Sequence, residues 1–156
     1  MFSRYVMYIQ SSNIKGVVMR RSVDVIARYA SGNTEVENEL FVVIKRLSFP
    51  TGLAFTGGGI EPSEAVEKTA TREFKEETGL HLSLLGWLPK IYNDEGRDPR
   101  GSASSRVAFG KATGTIIPEE GKTEVLLLSK EEITERHSEF VFDHFQIFLD
   151  FLALYD

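Results

Sequence analysis

The chain has 156 residues, a formal net charge of −5, no cysteine, and 42% hydrophobic and 26% charged residues. This length fits a single domain over residues 1–156, and the composition is typical of a folded globular protein rather than a disordered chain. The sequence therefore excludes disulfides and thiolate metal sites, argues against a nucleic-acid partner, and contains no apolar run long enough to cross a membrane.

Strand patterns dominate the first half of the chain. Residues 5–19 are rich in β-forming side chains, which predicts an initial hairpin. Residues 23–29 alternate loosely, and the continuous apolar run over residues 40–44 is typical of a buried strand. In the alternating segment, one side carries Val23, Val25 and Ala27, and the other carries Asp24, Ile26 and Arg28.

A helix is predicted from Ser63 to Thr78. The hydroxyl of Ser63 is suited to cap its first turn, and Gly79 lies where a left-handed residue ends a helix. Three consecutive glycines, at positions 57–59, precede this helix and allow the backbone to approach a ligand closely.

The remaining segments complete an alternating α/β pattern. A polar loop over residues 93–105 separates the later strands, and a C-terminal helix is predicted over residues 138–154. Its many aromatic side chains predict burial, either in the core or against a second subunit, so a homodimer is expected. A cytoplasmic location is the default expectation for this chain. The later strands are predicted over residues 82–88, 106–112 and 125–128.

Three glutamates share one arc of the predicted helix. Glu73, Glu76 and Glu77 have i, i+3 and i+4 spacing, and their arc overlaps the apolar stripe that faces the protein interior. Arg72 offers one cation against three anions, whereas Mg²⁺ or Mn²⁺ prefers such hard oxygen ligands. Taken alone, the trio is more typical of a solvated surface, but the neighbouring glycine turn favours a metal-phosphate site.

At these residues the sequence resembles the Nudix hydrolases. Nine positions of the Nudix box are filled over 23 residues, namely Gly58, Glu64, Arg72, Glu73, Phe74, Glu76, Glu77, Gly79 and Leu80. The resemblance implies an α/β/α sandwich with a mixed β-sheet, and Mg²⁺-dependent hydrolysis of a nucleoside diphosphate linked to another group, with Mn²⁺ as a substitute. One departure precedes the box, because Thr56 stands where many members have proline.

The same resemblance assigns roles to the box residues. It implies Glu73, Glu76, Glu77 and the backbone of Gly58 as metal ligands, with Glu64 supporting the turn before the helix. Glu76, Glu77 and Arg72 are the implied catalytic residues, Arg72 by orienting a carboxylate, and Gly58 and Gly59 contribute backbone to substrate binding. The proton acceptor is a box glutamate or a later acid, and of Glu119, Glu120 and Glu124 we select Glu120; simple loop acids are an equal alternative.

Two later segments resemble ADP-ribose pyrophosphatase-like members of the family. They are the run from Arg97 to Gly101 and the tripeptide at residues 142–144. Arg97 and Arg100 are predicted to bind substrate oxygens, or else to lie in a polar turn started by Asp98 and Pro99. The resemblance implies hydrolysis of ADP-ribose or a related nucleotide sugar. The alternatives are a nucleoside triphosphate pyrophosphohydrolase and a non-catalytic nucleotide-binding module.

Overall fold

The computed structural model describes residues 19–30 and 39–156. The hairpin predicted over residues 5–19 lies outside the described residues except for Met19. The described strands are β1 (Arg20–Tyr29), β2 (Leu40–Arg46), β3 (Gly52–Ala54), β4 (Thr56–Gly59), β5 (His81–Trp87), β6 (Ala103–Thr113) and β7 (Thr123–Ser129). The described helices are α1 (Val66–Thr78), α2 (Lys130–Glu135) and α3 (His144–Tyr155), with a 3-10 turn at His137–Glu139.

The strands form one mixed sheet, as the resemblance implies. Five of them follow the order β3-β2-β1-β6-β5, and β1 runs parallel to β6 while the other pairs are antiparallel. The glycine strand β4 also pairs with β1, and β7 pairs with β2. This topology brings the glycine triplet beside β1, close to the helix that follows it.

Helices cover both faces of the sheet and create two hydrophobic clusters. The cluster beneath α1 contains Val23, Val25 and Ala27 together with Phe74 of that helix. The cluster on the opposite face contains Ile26 together with aromatic side chains of α3. The alternation predicted for β1 is therefore confirmed, because adjacent side chains of a strand point to opposite faces. The resulting three layers confirm the α/β/α sandwich.

The start of α1 differs from the prediction. The helix begins at Val66 with Ala65 as its N-cap, and Ser63 has a φ of 62° in the preceding turn. The carboxylate of Glu64 accepts hydrogen bonds from the Glu61 amide at 3.3 Å and the Thr69 hydroxyl at 2.6 Å. A carboxylate therefore supports this turn, and the prediction that Ser63 caps the helix is wrong.

The end of α1 agrees with the prediction. Gly79 adopts a left-handed φ of 74°, and its N–H donates to the carbonyl of Lys75. A side chain at this position would also collide with Ile117. A Cβ added at Gly79 would lie 2.7 Å from both the Cβ and the amide nitrogen of Ile117. Glycine is therefore required here by both backbone conformation and space.

The C-terminal helix is shorter than predicted. A 3-10 turn at His137–Glu139 and a further turn at residues 142–143 precede α3, which begins at His144. Ile147, Phe148 and Phe151 of α3 are buried against the sheet, so its aromatic richness reflects packing within the chain. The homodimer stays a prediction. No helix in the described ranges combines the length and apolar character needed to span a bilayer.

Candidate active site

A cleft of about 340 Å³ opens where β4 meets α1. A smaller recess of about 50 Å³ adjoins it, and the residues that line both are Arg20, Arg46, Gly57, Gly58, Glu77 and Arg100. The acids that line the cleft are Glu61, Glu73, Glu76, Glu77 and Glu119, and the bases are Arg20, Arg46, Arg72, Arg100 and Lys122. Charges of both signs therefore meet in one concave surface.

Helix α1 places its three glutamates along one wall of this cleft. Glu77 is only 8% exposed, although it is a charged residue, and Glu73 and Glu76 are partly exposed beside it. Phe74 lies between them in sequence and is fully buried under the sheet, which fixes the rotation of the helix. The predicted inward arc of carboxylates is present in the structure.

Arg72 connects the carboxylates to one another and to the glycine strand. Its Nε and Nη2 donate to the two oxygens of Glu64 at 2.8 and 2.9 Å. Its Nη1 donates to Glu73 at 2.8 Å and to Glu76 at 3.4 Å, and its Nη2 also reaches the carbonyl of Gly59 at 3.2 Å. The planar guanidinium thus orients the carboxylates by a fork of donors.

The carboxylates experience different environments. Hydrogen bonds from Arg72 lower the pKa of Glu64 to about 2. Burial raises the pKa of Glu73 to about 6, although Arg72 opposes this shift. Burial, followed by the charge of Glu73, raises the pKa of Glu77 well above its usual range. Full ionisation of this wall is therefore unfavourable unless a further cation offsets it.

The glycine strand makes close contact with these carboxylates. The N–H of Gly57 donates to Oε1 of Glu77 at 3.2 Å. A Cβ at Gly57 would collide with the carboxylate of Asp24 and lie 2.6 Å from the carbonyl oxygen of Val23. A Cβ at Gly58 would collide with the carboxylate of Glu73. Fixed backbone therefore requires glycine at position 57, whereas a side chain at position 58 would have to displace the carboxylate of Glu73.

Alanine substitutions at these two glycines are expected to have separable effects. Gly57→Ala should lower the free energy of unfolding by about 2 kcal/mol or more, because the new methyl meets fixed backbone of β1. Gly58→Ala meets a movable carboxylate, so it should lower kcat more than stability by displacing Glu73. Urea unfolding and steady-state kinetics on both variants test this, and equal losses of stability would contradict it.

The wall suits a divalent cation by its chemistry. No group of three or more Asp, Glu, His or Cys side chains forms a ready-made metal site among residues 19–30 and 39–156. Arg72 instead holds Glu73 and Glu76. The oxygen donors and raised pKa values nevertheless fit a hard cation such as Mg²⁺. Glu73, Glu76, Glu77 and the carbonyl of Gly58 are the groups that would hold it.

This electrostatic arrangement predicts opposite effects of pH and metal on stability. The pKa of Glu73 in the folded protein lies above its unfolded value of 4.5. Its contribution to the free energy of unfolding is therefore complete below pH 4.5 and is lost as the pH rises through about 6. The free energy of unfolding that is lost in this way is about 2 kcal/mol. Excess Mg²⁺ should therefore raise the melting temperature more at pH 8 than at pH 5, relative to EDTA.

Glu73→Gln provides the control for this measurement. The amide does not ionise, so the Mg²⁺-induced stabilisation should be smaller in this variant and should change less between pH 5 and pH 8. Thermal unfolding of both proteins in Mg²⁺ and in EDTA makes the comparison. Equal stabilisation by Mg²⁺ at both pH values in the wild-type protein would contradict the expectation.

The two predicted arginines have different positions. Arg100 lines the carboxylate cleft and forms a two-pronged ion pair with Asp98, at 3.0 and 2.9 Å. Arg97 is buried behind it in the recess, where its Nε and Nη2 donate to Asp143 at 2.9 and 2.8 Å. Arg100 therefore faces the glutamates, and Arg97 joins the two later segments singled out in the sequence.

A buried polar cluster behind the cleft was not found from the sequence. Asp24 accepts a hydrogen bond from the Ser105 hydroxyl at 2.6 Å and lies 3.4 Å from Nε2 of His144. Burial raises the pKa of Asp24, but His144, Arg97 and Ser105 together lower it to about 2. This cluster joins β1, β6 and the start of α3, and it packs directly beneath Gly57.

The structure also adds Arg46 and Glu119 to the site. Arg46 ends β2, donates to the carbonyls of Pro50 at 2.9 Å and Phe49 at 3.3 Å, and faces the cleft. Glu119 lines the same cleft, and its charge contributes to the raised pKa values of Glu73 and Glu77. Glu120 is exposed in the adjacent turn, and its role as proton acceptor stays a prediction.

Comparisons with known proteins relate this fold and site to a family. A model of the NUDIX domain matches residues 18–151. An ADP-ribose pyrophosphatase from Methanocaldococcus jannaschii is 39% identical over 80 residues, which are 49% of this chain and 45% of that protein. The nucleoside triphosphatase NudI from Escherichia coli is 41% identical over 47 residues, which are 30% of this chain and 33% of that protein. The chain thus matches less than half the length of each of these relatives.

A solved structure shows the same fold. It is a bifunctional NMN adenylyltransferase/ADP ribose pyrophosphatase from Francisella tularensis, complexed with AMP and a manganese ion. The similarity covers 90% of this chain and 43% of that one, with a TM-score of 0.74 and 20% sequence identity. At 20% sequence identity, this structural similarity establishes the fold of the chain.

Proposed function

The chain belongs to the NUDIX domain family, and on that premise we propose that it hydrolyses the pyrophosphate linkage of a nucleoside diphosphate joined to another group. The favoured substrate is ADP-ribose or a related nucleotide sugar, and the favoured metal is Mg²⁺, with Mn²⁺ as a substitute. One observation carries this proposal: inward carboxylates and arginines line the same cleft, which suits a metal ion bound to an anionic diphosphate. The ADP-ribose pyrophosphatase from Methanocaldococcus jannaschii supports the substrate class.

The carboxylate wall would hold the metal ion through Glu73, Glu76, Glu77 and the carbonyl of Gly58. A divalent ion at such a site supplies charge neutralisation for the diphosphate and acidifies a water molecule. The protein prepares this wall in advance, because Arg72 fixes Glu73 and Glu76 while the Gly57 amide fixes Glu77. Preorganised ligands reduce the reorganisation needed when substrate binds.

A carboxylate would accept the proton of the attacking water. The water oxygen forms a bond to one phosphorus, the bridging P–O bond breaks, and the second phosphate leaves with the electron pair. Glu119 is the acid of its loop that lines the cleft, whereas sequence reasoning favoured Glu120. Comparing Glu119→Gln with Glu120→Gln distinguishes the two, since the proton acceptor should show the larger fall in kcat.

The basic side of the cleft would bind the substrate. Arg46 and Arg100 both line it and present donors suited to phosphate oxygens. A volume of about 340 Å³ accommodates a nucleotide, whereas the 50 Å³ recess is too small for a nucleobase. Arg97 is held by Asp143 in that recess, so we assign it to supporting the loop that carries Arg100.

A substrate panel in the presence of Mg²⁺ tests the proposal. ADP-ribose should yield AMP and ribose 5-phosphate, identified by chromatography of the products. Release of inorganic pyrophosphate from nucleoside triphosphates would favour the second candidate, a nucleoside triphosphate pyrophosphohydrolase, which the local similarity to NudI supports. Binding of nucleotides without turnover would indicate the third candidate, a non-catalytic nucleotide-binding module.

A further inference from the structure

Phe142 has a strained backbone at the edge of the recess. Its φ is 58°, in the left-handed region that bulky residues rarely adopt. Its neighbours fix this conformation, because the Val141 amide donates to the carbonyl of Leu53, and Nδ1 of His144 accepts from the amide of Phe55. A conformation that costs free energy persists only where the surrounding structure determines it.

This backbone conformation places the phenyl ring against two arginines. The Cζ atoms of Arg46 and Arg100 each lie 5.2 Å from the ring centroid of Phe142. The arginines come from the end of β2 and from the loop before β6, and their like charges repel each other. The negative face of an aromatic ring attracts guanidinium groups, so the ring offsets part of this repulsion.

The two arginines differ in the groups that they pair with besides Phe142. Arg100 is paired with Asp98, whereas Arg46 donates to the neutral carbonyls of Phe49 and Pro50 and forms no ion pair within the described part of the chain. Among the described residues, Arg46 is thus held by hydrogen bonds to neutral carbonyls, and the carboxylates of Glu77 and Asp98 act on it only through their charge. Such a charge is available to an anion that enters the cleft.

We propose that Phe142 is a positioning residue whose ring holds the guanidinium groups of Arg46 and Arg100 toward the cleft, so that both can bind oxygens of one diphosphate. This inference rests on the proposed function for the identity of the substrate. The ring also lies 5.0 Å from the ring of His144, and packing alone is the competing explanation for it. The two explanations predict different kinetics.

Three substitutions separate the ring from the backbone. Phe142→Leu removes the aromatic face, Phe142→Gly removes the ring while relieving the left-handed strain, and Phe142→Tyr keeps the ring. The Leu and Gly variants should raise KM for ADP-ribose about 5- to 30-fold, the effect expected from losing two cation-π contacts. Their kcat should stay within about twofold, and the Tyr variant should match wild type.

Phe140→Leu is the matched control for these variants. Phe140 lies in the same segment, packs on Phe55 at 5.6 Å and Phe145 at 6.3 Å, and forms no cation-π pair with an arginine of the described residues. Its substitution should affect thermal stability and leave KM unchanged. An equal rise in KM for Phe140→Leu would overturn the inference, since it would trace the effect to general packing.

Calorimetric titration with inorganic pyrophosphate in EDTA provides a readout that needs neither metal nor turnover. The Leu and Gly variants should bind pyrophosphate about 5- to 30-fold more weakly than wild type. If wild type binds it no better than these variants, the inference is wrong even where ADP-ribose is hydrolysed. If the wild-type protein hydrolyses no nucleotide, and the Leu and Gly variants still bind pyrophosphate more weakly than wild type, the proposed function fails and the positioning role of Phe142 stands.

Discussion

Glu77→Gln is expected to lower kcat by about 100-fold or more while leaving the metal-free protein at least as stable as wild type. Most substitutions of buried residues reduce stability and activity together. Glu77 should differ, because its charge is buried beside Glu73 and has the Gly57 amide as its hydrogen-bond donor. The amide oxygen of glutamine can still accept that bond.

The physical reason for these expected effects of Glu77→Gln is that the carboxylate has different consequences in the metal-free site and in the metal-bound site. Without a cation, burial raises the pKa of Glu77, so the ionised form lowers the stability of the folded chain as pH rises. Glutamine removes that cost. In the proposed metal-bound state the same carboxylate would be a ligand, so its loss should remove metal affinity and the chemistry that depends on it.

The measurement combines kinetics in Mg²⁺ with urea unfolding in EDTA at pH 8. Glu67→Gln is the matched control, since Glu67 lies in the first turn of the same helix and is exposed. It should change kcat by less than about twofold and stability by a few tenths of a kcal/mol. Destabilisation of Glu77→Gln by more than about 1 kcal/mol in EDTA would indicate a structural carboxylate instead.

Arg72→Gln is expected to lower both stability and activity. The substitution leaves the carboxylate of Glu64, which is only 5% exposed, without its two-pronged partner, and it frees Glu73 and Glu76 to repel each other. Removing one partner of a largely buried ion pair costs about 3 kcal/mol. The carboxylates would also lose their orientation, so kcat should fall by about 10- to 100-fold.

Two further variants define what Arg72 contributes. Arg72→Lys keeps the charge but loses the planar fork, so it should recover only part of the stability. Arg136→Gln removes an exposed arginine that is paired with Glu139 at 2.7 and 3.0 Å, and it should cost less than about 1 kcal/mol. Equal free energies of unfolding for Arg72→Gln and Arg136→Gln would contradict the central role of Arg72.

Local patterns predicted the features of the fold that depend on neighbouring residues. The alternation in β1 identified which side chains face each helical layer, because strand side chains point to opposite faces. Gly79 predicted the end of α1 by its backbone freedom, and the spacing of the glutamates predicted their common face. The short helix α2 was missed, since Ile133 is its single buried residue and provides no periodicity.

Features that depend on contacts between distant segments could not be predicted in this way. Ser105 and Asp24 are 81 residues apart and meet because β1 and β6 pair in parallel. Arg46 ends an apolar strand without any local pattern that marks it as a cleft residue. Glu119 and Glu120 are adjacent and chemically equivalent in sequence, and the turn before β7 decides which one faces the carboxylates.

Anomalous scattering from crystals of the protein soaked in Mn²⁺ would locate a metal ion in the cleft. We expect an anomalous peak with oxygens of Glu73, Glu76 and Glu77 around it, and we expect this peak to be absent in Glu76→Gln. A cleft without a peak, or carboxylates turned into solvent at a Mn²⁺ concentration that saturates related sites, would contradict the claim that these acids hold a divalent cation.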